Sequence, residues 1–361
     1  MTDESYIKLA IEIAKKGRGN VSPNPLVGCI IVKDERIISA GYHEKYGENH
    51  AEINAINSAK ESVEGSTLYV NLEPCSHQGL TPPCVDKIIE NKIKRVVIGT
   101  LDMNPLVCGN GIKILKSAGI DVKAGILENE CAAVNKFFFK FITKKNPYVT
   151  LKIAQTLDGK IADKQGDSKW VSSLLSRRYV HELRSKYDAV LIGLGTVMKD
   201  NPSLTVRLTE GRNPRRVILD TGLKLSTEHK LFSSNSDKKL IIVTSNKNKS
   251  KERKIKKIKS KGAEVIFVRE DRGKLNLKNI LKELAKINIT SVLVEGGKAI
   301  FSSFVKENLF DDLLVFISPK ILGNGIPAVS DLGIKSISKS LKVKFVNAEM
   351  IGDDVLAELT K

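Results

Sequence analysis

Along this chain the apolar positions switch repeatedly between period two and period 3.6, which predicts strands alternating with helices. A first helix is predicted where Ile7, Ala10, Ile11 and Ala14 recur at helical spacing, with Thr2 or Asp3 as its cap. LVGCIIV (Leu26–Val32) and RIISAGY (Arg36–Tyr42) read as strands joined by a turn at Lys33-Asp34-Glu35. A helix follows over Ala51–Lys60, and STLYVNLEPC (Ser66–Cys75) is a strand that runs into a loop. Pro82-Pro83 suits the start of the next helix, CVDKIIENK (Cys84–Lys92). RVVIGTLD (Arg95–Asp102) and IDVKAGIL (Ile120–Leu127) are strands flanking the helix GIKILKSAG (Gly111–Gly119). ENECAAVNKFFFKFITKK (Glu128–Lys145) reads as one long helix.

The pattern breaks at Pro147, after a basic polar turn, so the domain boundary is placed there: residues 1–146 and 147–361. The second part opens with a strand at Tyr148–Ile153 and a helix near Leu174–Tyr187. Strands follow at DAVLIGLG, RRVILD, KKLIIVTS and AEVIFV, then the helix NLKNILKELAKIN, the strand SVLVEGG, the helix AIFSSFVKENL, and strands DDLLVFISP and VKFVNAEM. Strand–helix alternation in both parts predicts two α/β layered domains, with no internal repeat and no low-complexity linker.

Length and composition agree with this: 361 residues, 41% hydrophobic and 28% charged, suit two cored domains and not a disordered polyelectrolyte. The net charge of +18 is unevenly placed, with 19 Lys+Arg against 17 Asp+Glu in residues 1–146 and 40 against 24 in the remainder. Much of the excess lies in NKNKSKERKIKKIKSKG (Asn246–Gly262), which has no aromatic residue for base stacking and reads as a solvated helix with Ile255 and Ile258 inward. The amphipathic N-terminus lacks the basic start and apolar segment of a signal peptide, and no run reaches the ~18 apolar residues of a membrane span. The expected location is the cytoplasm. Thiols stay reduced there, so clustered cysteines point to metal or catalysis before disulfides.

Such a cluster is present. EPCSHQGLTPPC (Glu73–Cys84) puts Cys75 and Cys84 in one loop, and His50-Ala51-Glu52 puts a histidine and a carboxylate at a helix start. One His and two Cys leave one tetrahedral position of a zinc ion open for water, whose pKa falls to about 7. A carboxylate that does not bind the metal can then carry protons between water, ring nitrogen and leaving amine, and Glu52 is placed for that. H-x-E followed by P-C and a second Cys is the signature of zinc nucleobase deaminases. The departure is the spacing: that signature has C-x-x-C, whereas eight residues separate Cys75 from Cys84, which fits a larger substrate. A structural zinc would want a fourth ligand, which His77 could provide. Cys29, Cys108 and Cys131 carry no such signal.

SPNPLVGCIIV, GYHEKYGENHAEINAI, EPCSHQGLTPPC and DMNPLVCGNGIKILKSAGI, in this order, resemble the deaminase half of the bifunctional riboflavin-biosynthesis deaminase–reductases. LKIAQTLDGKIA, GDSKWVSS, HELRSKYDAVLIGLGTVMKDNPSLTVR and VEGGKAIFSSF resemble the reductase half, so the resemblance covers essentially the whole chain. It implies a cytidine-deaminase-like three-layer domain followed by a dihydrofolate-reductase-like domain. It implies deamination of 2,5-diamino-6-(5-phosphoribosylamino)pyrimidin-4(3H)-one at one Zn²⁺ per chain, then NADPH-dependent reduction of the ribosyl group to ribityl. By motif, His50, Cys75 and Cys84 would bind zinc, Glu52 would donate protons, and Asn24, His43, Asp102 and Asn104 would contact substrate. Leu80 and Asn110 stand where the family commonly has a basic residue, so the chemistry is expected to survive with altered substrate affinity.

The second half is less legible from its residues alone. Gly296-Gly297 ends a strand and opens a helix, a junction that offers amide N–H groups and a helix dipole to a phosphate. No complete G-x-G-x-x-G follows a strand, which argues against a Rossmann domain. Arg184 and Arg207 read as candidate phosphate clamps, and Trp170 as a candidate cofactor cover. The resemblance implies that Ala154, Trp170, Thr196, Asp200, Thr221 and Gly297, Lys298, Ala299, Ile300, Phe301, Ser302 and Ser303 line an NADPH site. It implies that Ser168, Arg184, Leu204, Arg207 and Glu295 contact a phosphorylated pyrimidine, with no nucleic-acid or membrane partner; whether a homo-oligomer forms is left open. Two other readings stand beside it: a nucleic-acid or cytidine deaminase with a basic accessory domain, which would bind RNA with a steep salt dependence and ignore NADPH, and a zinc-stabilised scaffold without catalysis.

Overall fold

The structure is a computed structural model of the chain, described here for residues 1–105 and 107–361. It divides into two compact units, Met1–Asn146 and Pro147–Lys361.

The first unit is a five-stranded sheet in the order β2-β1-β3-β4-β5, formed by β1 (Gly28–Lys33), β2 (Arg36–Tyr42), β3 (Thr67–Leu72), β4 (Arg95–Thr100) and β5 (Asp121–Ala124). β1 runs antiparallel to both β2 and β3, and β3, β4 and β5 are parallel. The hairpin turns on Asp34 and Glu35, both at positive φ, as a two-residue connection that follows strand twist requires. Helices α1 (Asp3–Ala14), α2 (Ala51–Ser58), α3 (Cys84–Glu90), α4 (Asn110–Ser117), α5 (Glu128–Val134) and α6 (Lys136–Lys144) complete the unit.

The run GCIIV is apolar throughout because both faces of β1 are covered. Cys29 and Ile31 pack with Ala51, Ala55, Val85, Ile88 and Leu115 on one side, and Ile30 and Val32 pack with Tyr6, Ile7, Ala10 and Cys131 on the other. Three layers result. Gly41 lets α2 lie directly on β2, since a Cβ there would sit 2.3 Å from the Ala55 amide nitrogen. The helix expected over Glu128–Lys145 is instead two, divided at Asn135. Its buried side chain accepts from the Leu26 N–H at 2.7 Å and donates to the Leu26 carbonyl at 3.0 Å, standing in for a strand partner where the helix breaks.

The second unit holds a nine-stranded sheet. In chain order its strands are β6 (Tyr148–Thr156), β8 (Ala189–Gly193), β9 (Arg215–Leu219), β10 (Leu240–Ser245), β11 (Glu264–Val268), β14 (Ser291–Gly296), β15 (Asp312–Ser318), β17 (Lys344–Ile351) and β18 (Asp354–Thr360). Two short ribbons, β7 (Lys160–Asp163) with β16 (Gly325–Pro327) and β12 (Glu270–Asp271) with β13 (Lys274–Leu275), stand apart from it. The sheet order is β11-β10-β9-β8-β14-β6-β15-β18-β17, antiparallel only at β15-β18-β17. From β8 the chain winds outward through β9, β10 and β11, then returns to place β14 on the other side of β8. That reversal opens a crevice at the carboxyl ends of β8 and β14, where ligands bind in open α/β sheets. Helices α7 (Leu174–Lys186), α8 (Leu194–Asp200), α9 (Lys230–Ser233), α10 (Glu252–Ser260), α11 (Leu277–Lys286) and α12 (Lys298–Lys306) lie between the strands in sequence. In the basic helix α10, Ile258 is buried and Ile255 half-buried. No helix among the described residues is long and apolar enough to cross a membrane.

One ionic cluster fastens α1 to the sheet. Asp3 accepts from Arg95 at 3.0 and 2.9 Å, from Lys123 at 2.9 Å and from Tyr69 at 3.1 Å. Hydrogen bonding from Arg95 holds the Asp3 carboxyl well below the usual carboxylate range, against the opposing effect of burial. A depressed pKa stabilises above the unfolded value and is lost as pH falls through the folded one. Asp3→Asn is therefore expected to cost about 1 kcal/mol at pH 7, a Tm loss of roughly 2–4 °C. The difference between variant and wild type should shrink as pH falls below about 4. Thermal melts at pH 7 and pH 3 check this; equal differences at both would contradict it.

Candidate active sites

Two helix starts and a strand end converge in the first unit. His50 is the N-cap of α2, Cys84 is the first residue of α3, and Cys75 follows β3 by three residues. His50 Nδ1 lies 3.4 Å from Cys75 Sγ and 3.3 Å from Cys84 Sγ, and the three donor atoms all lie within 4.8 Å of one another. A tetrahedral zinc with Zn–N near 2.0 Å and Zn–S near 2.3 Å separates such donors by about 3.5 Å, so the set fits that ion. His50 Nε2 is 3.5 Å from Thr81 Oγ1, a partner for the ring nitrogen that faces away from the two sulfurs. Hydrogen bonding from Cys84 holds the Cys75 thiol low, against burial and with help from His50, while the same bond pushes Cys84 up. A thiolate is what a metal needs.

Glu52 sits two residues on, 3% exposed, and its Oε2 has no hydrogen-bond partner. Burial pushes its carboxyl up to about 7, and the Cys75 sulfur pushes the same way. A buried carboxylate oxygen without a partner is costly, although Cys84 hydrogen-bonds the group, so this one is retained for something. Around it lie the other residues implied by motif. Asn24 Nδ2 donates to His43 Nε2 at 3.1 Å, and the opposite ring nitrogen of His43 donates to the Asn49 carbonyl at 3.0 Å. The His43 and His50 rings meet edge to face, 5.2 Å apart. Asp102 is buried and accepts from the Asn104 N–H at 2.8 Å. Burial raises its pKa to about 6, with Glu73 and Cys75 pushing the same way.

Sequence reasoning passed over Glu73. Its buried carboxylate accepts from three backbone amides: Asp102 at 3.3 Å, Gly109 at 2.9 Å and Ile112 at 3.3 Å. It ties the segment that carries Asp102 and Asn104 to the strand end that carries Cys75. His77, the alternative fourth ligand, stands outside the donor cluster.

The second unit contains a cavity of about 930 Å³ at the β8–β14 crevice. Ala154, Trp170, Thr196, Asp200, Thr221, Gly297, Lys298, Ala299, Ile300, Phe301 and Ser303 all line it, as do Ser168, Arg184, Leu204, Arg207 and Glu295. Ser302 does not; its hydroxyl donates to the Lys298 carbonyl at 2.6 Å and accepts from the Ser330 N–H at 2.8 Å. Gly296 adopts φ of +133°, which only glycine takes without strain, and turns the chain from β14 into α12 with the helix's first amides at the cavity. Trp170 is stacked against the Arg177 guanidinium at 3.8 Å.

Arg184 is not an unengaged clamp. Its Nε and Nη2 donate to the two oxygens of Glu295 at 2.6 and 2.8 Å. Burial alone would raise the Glu295 pKa, but Arg184, with Lys152, holds it down to about 2. Lys152 Nζ is 3.8 Å from Glu295, yet this lysine and His181 were invisible as site residues in the sequence. Lys152 is the one charged residue of β6, which was the one signal available. His181 sits three residues before Arg184, on the same face of α7.

A sheet-borne zinc-ligand cluster joined to a second α/β unit with a crevice cavity defines a two-centred enzyme, a deaminase coupled to a reductase. The family model for the RibD C-terminal domain matches residues 147–357, and that for the cytidine and deoxycytidylate deaminase zinc-binding region matches residues 1–100. The chain is 47% identical over 356 residues to the riboflavin biosynthesis protein RibD of Aquifex aeolicus, covering 98% of this chain and 97% of the relative. It is 35% identical over 373 residues to that of Escherichia coli, covering 99% of each. A crystal structure of a diaminohydroxyphosphoribosylaminopyrimidine deaminase/5-amino-6-(5-phosphoribosylamino)uracil reductase from Thermotoga maritima superposes with a TM-score of 0.87 at 45% identity, covering 99% of this chain and 98% of that one. Acinetobacter baumannii RibD gives 0.89 at 34% identity, with the same coverage. The chain belongs to the RibD family of bifunctional deaminase–reductases of riboflavin biosynthesis, with a zinc site at His50, Cys75 and Cys84 and the NADPH dependence that the reductase family implies.

Metal analysis tests the ligand set. Protein purified with zinc should carry one ion per chain, His50→Ala and Cys84→Ser should lose most of it, and Glu52→Gln should keep it. Loss of zinc in Glu52→Gln would make that carboxylate a ligand and contradict its free oxygen.

Proposed function

We propose that the first unit, residues 1–146, removes an exocyclic amino group from 2,5-diamino-6-(5-phosphoribosylamino)pyrimidin-4(3H)-one, and that the second, 147–361, reduces the ribosyl group of the product to ribityl. The observation that carries this is the unpartnered Glu52 oxygen beside the His50–Cys75–Cys84 cluster. When bound, zinc supplies Lewis acidity that brings the pKa of a water down to about 7. Glu52 takes one proton from the attacking water and gives it to the ring nitrogen, then takes the second from the added hydroxyl and gives it to the amino group, which departs as ammonia while the C–O bond becomes a carbonyl. A group that must both accept and release a proton near neutrality works best with a pKa near the working pH, and burial moves Glu52 in that direction. His43, fixed by Asn24 and the Asn49 carbonyl, presents a neutral ring to the substrate, while Asp102 and Asn104 hold the pyrimidine from the opposite loop.

In the second unit NADPH supplies the hydride. The amides at the start of α12, from the N-cap Gly297 to Ala299, hold the cofactor's diphosphate, as helix N-termini do. Ala154, Thr196, Asp200, Thr221 and Trp170 shape the rest of its bed. Ser168, Leu204, Arg207 and the Arg184–Glu295 pair receive the phosphorylated substrate. The enzyme works in the cytoplasm on small phosphorylated pyrimidines. The exposed edge strand β17, with Phe345 and Met350 outward, is where a second copy would add to the sheet.

NADPH oxidation by zinc-loaded wild type and Glu52→Gln tests the reading. On the diamino substrate the variant should be slower by about 10²–10⁴-fold, the usual worth of a general acid–base. On already deaminated substrate the two should match. Wild type that never oxidises NADPH on either compound would end the reductase assignment; a variant unaffected on the first would end the role of Glu52.

A further inference from the structure

One end of the second unit's cavity carries unbalanced charge. Lys152, Arg184 and Arg207 line it, against the single carboxylate Glu295. Arg184 is held bidentately by Glu295, with Lys152 at 3.8 Å from the same group. Arg207 is left with the Thr205 hydroxyl at 2.7 Å and the Thr205 carbonyl at 3.5 Å, and no carboxylate pairs with it among the described residues. Three cations and one anion in a partly desolvated pocket call for a ligand with about two negative charges, the charge of a phosphate monoester dianion.

His181 lies within this group, 6% exposed, and lines the same cavity. Its Nδ1 accepts the backbone N–H of Arg207 at 2.9 Å. An amide can only donate, so Nδ1 carries no hydrogen and the ring's hydrogen is on Nε2. Among the described residues the ring's one hydrogen-bond partner is on Nδ1, which leaves Nε2 without one, and the ring lines the cavity. The charged groups facing the ring are Arg184, Arg207, Glu295 and Lys152; burial and then the two arginines keep it neutral, with a pKa near 4. A third full cation beside two guanidiniums would cost repulsion, whereas a neutral N–H adds a directed donor without it.

We propose that His181 is a substrate-binding residue of the reductase unit, donating its Nε2–H to an oxygen of the substrate's phosphate beside Arg207, while its Nδ1 holds the Arg207 backbone in place. The assignment rests on the reductase reading above and adds a contact to it. It separates two functions of one ring, which two substitutions can divide. Asparagine places an oxygen near Nδ1 and so keeps the acceptor for Arg207 but deletes the donor. Glutamine places an N–H near Nε2 and so keeps the donor.

The test uses full-length zinc-loaded protein with saturating NADPH. The substrates are 5-amino-6-(5-phosphoribosylamino)uracil and its dephosphorylated counterpart. His181→Asn should raise KM about tenfold for the phosphorylated substrate with kcat within about twofold, the loss of one hydrogen bond to a charged group. It should leave KM for the dephosphorylated substrate and for NADPH unchanged, and His181→Gln should recover most of the loss. A silent His181→Asn with an impaired His181→Gln would reduce the ring to a support for Arg207 and overturn the proposal. So would an equal effect on both substrates. If both variants lose NADPH binding through misfolding, nitrogen-15 NMR of the wild type decides, since only five histidines contribute ring signals. The proposal requires an Nε2–H tautomer whose Nε2 signal moves when the phosphorylated substrate is added; an imidazolium at pH 7, or a ring that does not respond, refutes it. Wild type that fails to reduce the deaminated substrate at all would bring down the reductase reading, and this contact with it.

Discussion

Two sulfurs each 3.3–3.4 Å from one imidazole nitrogen are the constraint around which the first unit is organised. Three soft donors at that distance repel once the thiols ionise, and a cation between them resolves the conflict. The fold meets the geometric demand by ending β3 and starting α2 and α3 at one point. Gly41 brings α2 onto the sheet, Asn135 breaks a helix to secure the Leu26 backbone, and Glu73 gathers three amides of the loop opposite. Each device lies outside the ligand set, and each fixes where a ligand or its neighbour stands.

The second unit solves a different electrostatic problem. Its cavity keeps an excess of positive charge in a crevice formed by a reversal of strand order, and spends one carboxylate to orient one arginine. Glu295 and Arg184 support each other, and Arg207 and the start of α12 line the same cavity. The His50–Cys75–Cys84 set belongs to the first unit and the cavity lining to the second. Their products connect them: the deaminated pyrimidine leaving the first site is what the second reduces.

Much of this was legible in the chain. HAE, EPC and PPC each bring a donor to the end of an element, so their chemistry and their placement share one short pattern. The α/β alternation was equally clear, because apolar runs such as GCIIV and SVLVEG are buried on both faces. What escaped were residues whose role depends on long-range pairing. Glu73 looks like part of the zinc motif, yet it acts on amides up to 39 positions away. Lys152 and His181 each look like one polar residue in an element, and only strand order and the return of the Thr205–Arg207 segment give them partners. The small ribbons were missed because strands of two to four residues carry little periodicity, β18 was passed over although it lies between β15 and β17, and the helix break at Asn135 was missed because its cause lies at Leu26.

The proposed order places deamination first and apart from reduction. The direct measurement is ammonia released from the diamino substrate with NADPH withheld, followed by NADPH consumed when it is then supplied. The structure predicts ammonia release without cofactor and one NADPH oxidised for each ammonia already formed. Ammonia that appears only after NADPH is added, or NADPH consumption that precedes ammonia, would contradict it.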